Sequence, residues 1–290
     1  MLMPLAFESF NFDAYDLVIS VTSEAAKGII TKPQTSHVCY CLTPTRYLWS
    51  GHNAYFPNPT MKWLSKPIVK YLRVWDKIAS QRPDVVVAIS TEVKERIKKY
   101  YQRDSGVIFP PVGLSLAETN NRLPQKYFLV VSRLVTYKRV DLVVKTFNRL
   151  GLPLVVIGTG HQALKLKCLA RKKIKFVGFV TDEELKKYYR GAKALIMPQE
   201  EDFGLVAVEA QGLRIPVIAY GKGGAKDTVI NGKTGILFAD QTVESLTAAI
   251  EKFDKWHPDG EELITNAARF SKSRFQKAFI RACFGGRLRD

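Results

Sequence analysis

Two carboxylates, Glu201 and Glu209, stand with seven residues between them in MPQEEDFGLVAVEAQG, around a Phe-Gly turn and an apolar run. Were both helical, their Cα atoms would lie roughly 12 Å apart at azimuths about 80° apart, too far for one bond. Glycosidase carboxyl pairs straddle one scissile bond at roughly 5 to 9.5 Å, so this pair fits that chemistry poorly. It fits a ruler along an elongated ligand better, with Glu201 near one end, Glu209 two turns on, and a positive helix amino end aimed at phosphates between them. Taken alone, the pair reads more simply as two surface acids flanking an amphipathic helix. Its place between an apolar strand and a glycine-rich loop favours the ligand.

Two cations point the same way. Arg133 and Lys138 in RLVTYKRVDL follow the apolar run YFLVVS, in a strand-to-helix loop at the carboxyl edge where open parallel sheets bind ligands. Two cations there suit a diphosphate, although an ordinary basic loop has the same composition. In VVIGTGH, Gly158 and Gly160 directly follow a strand and allow close backbone approach. In KFVGFV, Gly178, Phe179 and Val180 precede a Thr-Asp-Glu-Glu helix start, where main-chain groups could meet a planar base; by itself the stretch also reads as core packing. Gly221, Gly223 and Gly224 in YGKGGAKDTV offer backbone N–H groups in a nest beside a helix start.

These residues need a scaffold, and the pattern supplies one. The apolar runs DLVIS, HVCYCL and DVVVAIS, then YFLVVS, LPLVVIG, IKFVGF, ALIMP, IPVIAY and GILF, alternate with amphipathic stretches of helical period. Such alternation predicts parallel strands joined by crossover helices, an α/β chain of two Rossmann-like doubly wound domains. The Pro-rich, polar stretch within 114–126 predicts a linker between residues 1–113 and 127–290, with the last helix free to pack back on the first domain. The first domain shows only three or four strands, starting at Asp16. So short a sheet would expose apolar edges and faces, so it reads as incomplete: a fragment, a sheet completed by another chain, or an unusually small unit.

Bulk composition narrows the partners. The chain of 290 residues, 46% hydrophobic, carries a formal charge of +17. Up to Gly113 there are 14 basic against 9 acidic residues, and beyond it 30 against 18, so the excess lies mainly in the second part. A basic surface attracts nucleic acid, phosphorylated small molecules or an acidic membrane face. No helix-turn-helix, zinc or RNP-like pattern supports nucleic acid. Four cysteines make no disulfide framework, and Cys39 and Cys41 alternate as strand residues, which predicts buried thiols in a reducing compartment and no metal site. No apolar run approaches the roughly 20 residues that span a bilayer. The expectation is a cytoplasmic protein, soluble or peripheral; the aromatic and basic run YLWSGHNAYFPNPTMKWLSKPIVKYLRVW could touch an anionic membrane.

The order R-x4-K, G-x-G, F-x-G-F, E-x7-E in EEDFGLVAVEAQG, and GG-x3-TV-x2-G-x-TG-x-LF resembles the retaining nucleotide-sugar glycosyltransferases of family 4, which have the GT-B architecture. TEVKERIKKYYQRDSGVIFPPV and HVCYCLTPTRYLW resemble segments of the same family's first domain, so the likeness runs from about residue 10 to 280. The resemblance implies that Arg133 and Lys138 hold the donor diphosphate, that Glu209 binds the ribose and that Glu201 lies by the transferred sugar. It implies main-chain contacts to the base at Phe179 and Val180, and amides at Phe203, Gly204 and Leu205 cradling sugar or phosphate. It implies no cofactor and no metal, fixed cations and amide dipoles taking that role. The acceptor would be a glycan or a polyprenyl-linked one, as in synthesis of cell-surface polysaccharide, lipopolysaccharide included. Two positions depart from the family: Leu42 stands where it has His, and Ile89 where Asn commonly precedes Ser90. No match exists to its opening strand and glycine-rich loop, so the alternative is a nucleotide-sugar-binding protein without turnover, or one needing a partner chain.

Overall fold

The computed structural model describes residues 2–56, 58–113 and 126–285. The linker expected over 114–126 lies, Lys126 apart, outside them. The chain forms two compact units, Met1–Pro110 with Ser273–Asp290, and Pro111–Lys272.

The first unit carries β1 (Leu17–Thr22), β2 (Ser36–Cys41), β3 (Val85–Ala88) and the two-residue β4 (Gly106–Val107), all parallel in the order β1-β2-β3-β4. The three apolar runs expected there are β1 to β3; β4 is too short to leave a periodic signal. Along the edge strand β1, Val18, Ser20 and Thr22 are buried while Ile19 and Val21 face solvent. Cys39 and Cys41 are buried in β2 as free thiols, and burial pushes both up from the ordinary thiol range. The helix Lys272–Phe284 returns to this unit: Phe275 and Phe279 stack on each other, and both meet the ring of Tyr40 edge-on at 5.7 and 5.6 Å. The helix Pro59–Ala79 starts on Asn58, whose side chain accepts from the Thr60 amide at 2.9 Å, with Pro59 in the first turn where no N–H is needed. It is pinned through buried Asp76, which pairs with Lys27 at 2.5 Å and accepts from Thr45 at 2.9 Å and Trp49 at 2.7 Å.

The second unit is a parallel sheet of β5 (Tyr127–Val131), β6 (Leu154–Ile157), β7 (Ile174–Gly178), β8 (Ala192–Met197), β9 (Val217–Tyr220) and β10 (Gly235–Phe238), in the order β10-β9-β8-β5-β6-β7. Strand alternation divides the core: Phe128, Val130, Val156 and Ile196 pack under the helices Val140–Leu150 and Val243–Asp254, while Leu129, Leu195, Val217 and Ala219 pack against Asp182–Arg190 and Leu205–Gly212. Helix starts follow local chemistry. Thr181 and Glu184 form a reciprocal capping box, and Thr242 accepts from the Ser245 amide. The two faces define a doubly wound α/β unit.

Gly158 allows two loops to touch. Its φ is +128°, and a Cβ there would lie 1.9 Å from the Ser132 carbonyl oxygen. Gly151 ends its helix at φ +64° with open space around it. Gly158→Ala is therefore expected to destabilise the protein by at least about 3 kcal/mol, and Gly151→Ala by only about 1 kcal/mol. Urea unfolding of the two variants measures the difference.

Candidate functional site

Strand order locates the site before any side chain does. The chain runs outward from β5 to β6 and β7, then returns to lay β8, β9 and β10 on the other flank of β5. The direction of winding reverses between β5 and β8, where the strands' carboxyl ends leave a crevice. Residues 132–139 leave β5 on one side of it and residues 198–204 leave β8 on the other.

These loops bring three of the expected residues together. The Lys138 ammonium pairs with Glu201 Oε1 across the crevice, the two side chains being 12% and 17% exposed. The Tyr137 ring lies 5.3 Å from Lys138 Nζ, and its hydroxyl accepts from Arg133 Nη2 at 2.6 Å. Gln199 Nε2 donates to the same Glu201 oxygen at 2.7 Å, while the buried Gln199 Oε1 has no partner among the described residues. Arg133 is exposed. Tyr137 and Gln199 were not singled out from the sequence. A tyrosine between two cations and a glutamine two residues before an acid are common on solvated loops, and only the crevice gives them a partner.

Glu201 is not helical. It forms a parallel bridge with Gly223, and its carbonyl accepts from the Gly224 amide at 2.8 Å. The helix begins at Leu205, so Glu209 lies in its second turn while Glu201 precedes it by four residues. The helical spacing expected between the two acids does not apply. The glycine nest is corrected as well, because the Gly224 and Gly221 amides are committed to the carbonyls of Glu201 and Phe238. Instead these glycines permit contact: a Cβ at Gly223 would lie 2.3 Å from the Glu201 carbonyl oxygen, and one at Gly224 2.3 Å from Phe203 Cα. Gly158 and Gly160 act likewise beneath the Arg133 loop, whose Ser132 and Leu134 amides donate to Ile157 and Thr159 at 3.0 and 2.8 Å.

Gly204, at φ +95°, turns the chain into the helix Leu205–Gly212 with no side-chain cap. The first amides of a helix lack intrahelical acceptors and carry its positive end, here turned to the carboxyl edge of the sheet. The Phe203 ring is buried edge-on against Phe270 at 5.3 Å and anchors this turn, whereas Leu205 is exposed. Just after β7, Phe179 is 83% exposed, which sets its side chain outside the core, and Val180 packs against the cluster of Leu129, Leu195 and Val217. From β7 to β8 the sheet spans three strand spacings, roughly 14 Å, so an extended ligand along this edge meets Phe179, then the cations, then Glu201. Glu209 accepts from the buried Tyr189 hydroxyl at 3.2 Å. Burial raises its carboxyl above the ordinary range, against the lowering effect of that hydrogen bond, with Asp182 adding to the rise. Leu42, half-buried after β2, and the buried Ile89 place apolar side chains at both departing positions. Among the described residues no cluster of His, Cys, Asp or Glu could hold a metal ion.

Two parallel α/β sheets, the second doubly wound with cations, a paired acid and a helix amino end at its switch point, give the chain the fold of GT-B glycosyltransferases. The chain belongs to the family of glycosyl transferases, group 1, which it matches over residues 114–270. It is 30% identical over 174 residues to the D-inositol 3-phosphate glycosyltransferase of Mycobacteroides abscessus, covering 56% of this chain and 37% of that one. It is 31% identical over 183 residues to the glycogen synthase of Thermodesulfovibrio yellowstonii, covering 58% and 36%. The matched stretch thus spans little more than a third of either relative. The fold is shared with the lipopolysaccharide outer core galactosyltransferase WaaB, apo form (TM-score 0.69, 18% identity, 93% of this chain and 75% of that one). It is shared also with Anabaena Alr3699/HepE in complex with UDP and glucose (TM-score 0.68, 18% identity, 92% and 77%).

The raised Glu209 carboxyl yields a pH dependence with a definite sign. If it accepts from ribose hydroxyls, its ionised form binds, so affinity for a nucleoside diphosphate should rise with pH through its raised value. Conversely, its contribution to stability is fully present below the ordinary carboxylate value and is lost as pH rises through the folded one. Glu209→Gln should flatten both trends, and Glu209→Ala should weaken nucleotide binding by about ten- to a hundredfold. Calorimetric titration with uridine and guanosine diphosphates between acid and neutral pH measures the effect.

Proposed function

We propose that this chain is a retaining hexosyltransferase of the family 4 type, taking a hexose from a nucleoside diphosphate sugar. The acceptor is a glycan or a polyprenyl-linked glycan in cell-surface polysaccharide synthesis, met at the inner face of the cell membrane. The observation that carries the reading is the Lys138 to Glu201 pair spanning the switch point, with Arg133 one tyrosine away and the amino end of Leu205–Gly212 beside it.

In this reading the donor diphosphate replaces the Glu201 carboxylate as the partner of Lys138, and Arg133 takes a second phosphate oxygen. The bond from the sugar's anomeric carbon to the diphosphate breaks, the acceptor oxygen bonds to that carbon on the same face, and the departing phosphate takes the acceptor proton. The charge gathering on the nucleoside diphosphate is met by two fixed cations and the helix amides. Such preorganised stabilisation is worth most in a partly desolvated crevice. Glu201, held by Gln199 and the Gly223 bridge, is left facing the hydroxyls of the transferred sugar. Glu209 takes the ribose, and main-chain groups at Phe179 and Val180 meet the base.

Transfer from uridine-, guanosine- and adenosine-diphosphate hexoses to lipid-linked acceptors, with the product anomer read by NMR, tests the proposal. Retention is expected, with a rate unchanged by chelation of divalent metals. Lys138→Ala and Arg133→Ala should each lower affinity for the nucleoside diphosphate by about ten- to a hundredfold and leave that for the nucleoside unchanged. Diphosphate binding with no turnover on any donor would instead identify a nucleotide-sugar-binding protein. Equal losses for nucleoside and diphosphate would remove the cations from the phosphate site.

A further inference from the structure

The helix Pro59–Ala79 presents three strips of different chemistry. Facing inward, Val69, Asp76 and Ala79 are buried, and the Asp76 network fixes the helix to Lys27, Thr45 and Trp49. Facing outward, Trp63, Leu64, Ile68, Tyr71, Val74 and Ile78 are 42% to 65% exposed. At 100° per residue these six share an arc of about 140°. Lys62, Lys66, Lys70, Arg73 and Lys77 occupy the adjoining arc, and residues 59–79 hold no acid besides the buried Asp76. Beside the cationic strip runs a groove of about 380 Å³ lined by Lys62, Lys66, Lys70, Arg73 and His52.

Six large apolar side chains on one arc of a helix roughly 31 Å long form a continuous patch, which a soluble surface rarely leaves bare. Among the described residues no helix is long and apolar enough to cross a membrane. The strip therefore suits a surface that is apolar within and anionic above. A second copy of the helix would bring cation against cation with no acid to answer it. An anionic bilayer complements both strips: Trp and Tyr suit the headgroup level, and lysines reach phosphates while their stems cover apolar surface. We propose that the helix Pro59–Ala79 lies flat in the interface of an anionic phospholipid membrane, Trp63, Leu64, Ile68 and Tyr71 inserted and the basic groove holding lipid phosphates. The proposal goes beyond the donor chemistry and uses none of its residues.

Co-sedimentation with phosphatidylcholine vesicles, with and without phosphatidylglycerol, and without any sugar donor, tests it. Retention is expected on the anionic vesicles at low salt. The double variant Ile68→Glu, Tyr71→Glu should lose it at least tenfold, and Lys66→Glu with Lys70→Glu roughly fivefold per reversed residue or more. On the unsubstituted protein, brominated acyl chains should quench tryptophan fluorescence, and Trp63→Phe should abolish the quenching with Trp49, Trp75 and Trp256 still present. Equal retention on neutral vesicles, retention unaffected by the double variant, or quenching that persists in Trp63→Phe would overturn the assignment. So would lipid-free dimers that the double variant dissolves, which would give the face to a second copy. Because donor binding is measured apart, failure here leaves the transfer reaction standing.

Discussion

The ion pair between Lys138 and Glu201 joins the loop after the first strand of the second unit to the loop after its fourth, across the point where winding reverses. Both side chains are largely withdrawn from water, so neither charge is well solvated without the other. Removing one partner of such a pair strands the remaining charge. In the ligand-free chain the pair therefore serves as its own counter-charge. In the proposed reaction a diphosphate would exchange for the carboxylate as the partner of Lys138, leaving Glu201 to Gln199 and the hydroxyls of the sugar. Tyr137 and Gln199 hold the two ends of the pair, one by its ring face against the ammonium and one by its amide against the carboxylate.

Backbone contact makes the pairing possible. Both crevice loops lie against a neighbouring loop so closely that a single methyl group would collide: Gly158 against Ser132, Gly160 against Leu134, Gly223 against Glu201 and Gly224 against Phe203. The glycines thus shape the site from beneath and do not line it. Gln199, Glu201 and the turn at Phe203 inherit their positions from main-chain bonds, which leaves little conformational freedom to lose when a ligand arrives.

The strands were legible because parallel strands read as unbroken apolar runs, even the edge strand β1 with one face in solvent, and all nine runs from DLVIS to GILF became β1 to β3 and β5 to β10. The carboxyl-edge position of Arg133 and Lys138 followed from the same reading. What escaped was set by pairing between distant segments. Glu201 sits in the apolar-to-helix transition of one continuous stretch, and nothing local shows that Gly223 holds it in an extended bridge. The glycine loop's amides looked free because their acceptors, Glu201 and Phe238, lie about twenty residues away on either side. Glu209 was visible as an acid on a helix, but its partner Tyr189 comes from another helix.

The return of the helix Lys272–Phe284 to the first unit has a consequence for synthesis. Residues Pro111–Lys272 are contiguous and emerge from the ribosome as one block, able to fold while translation continues. The first unit, begun earlier, must wait for Phe275 and Phe279 before the ring of Tyr40 in its sheet is covered. Of the two units, the one begun earlier is therefore the later to close over its sheet.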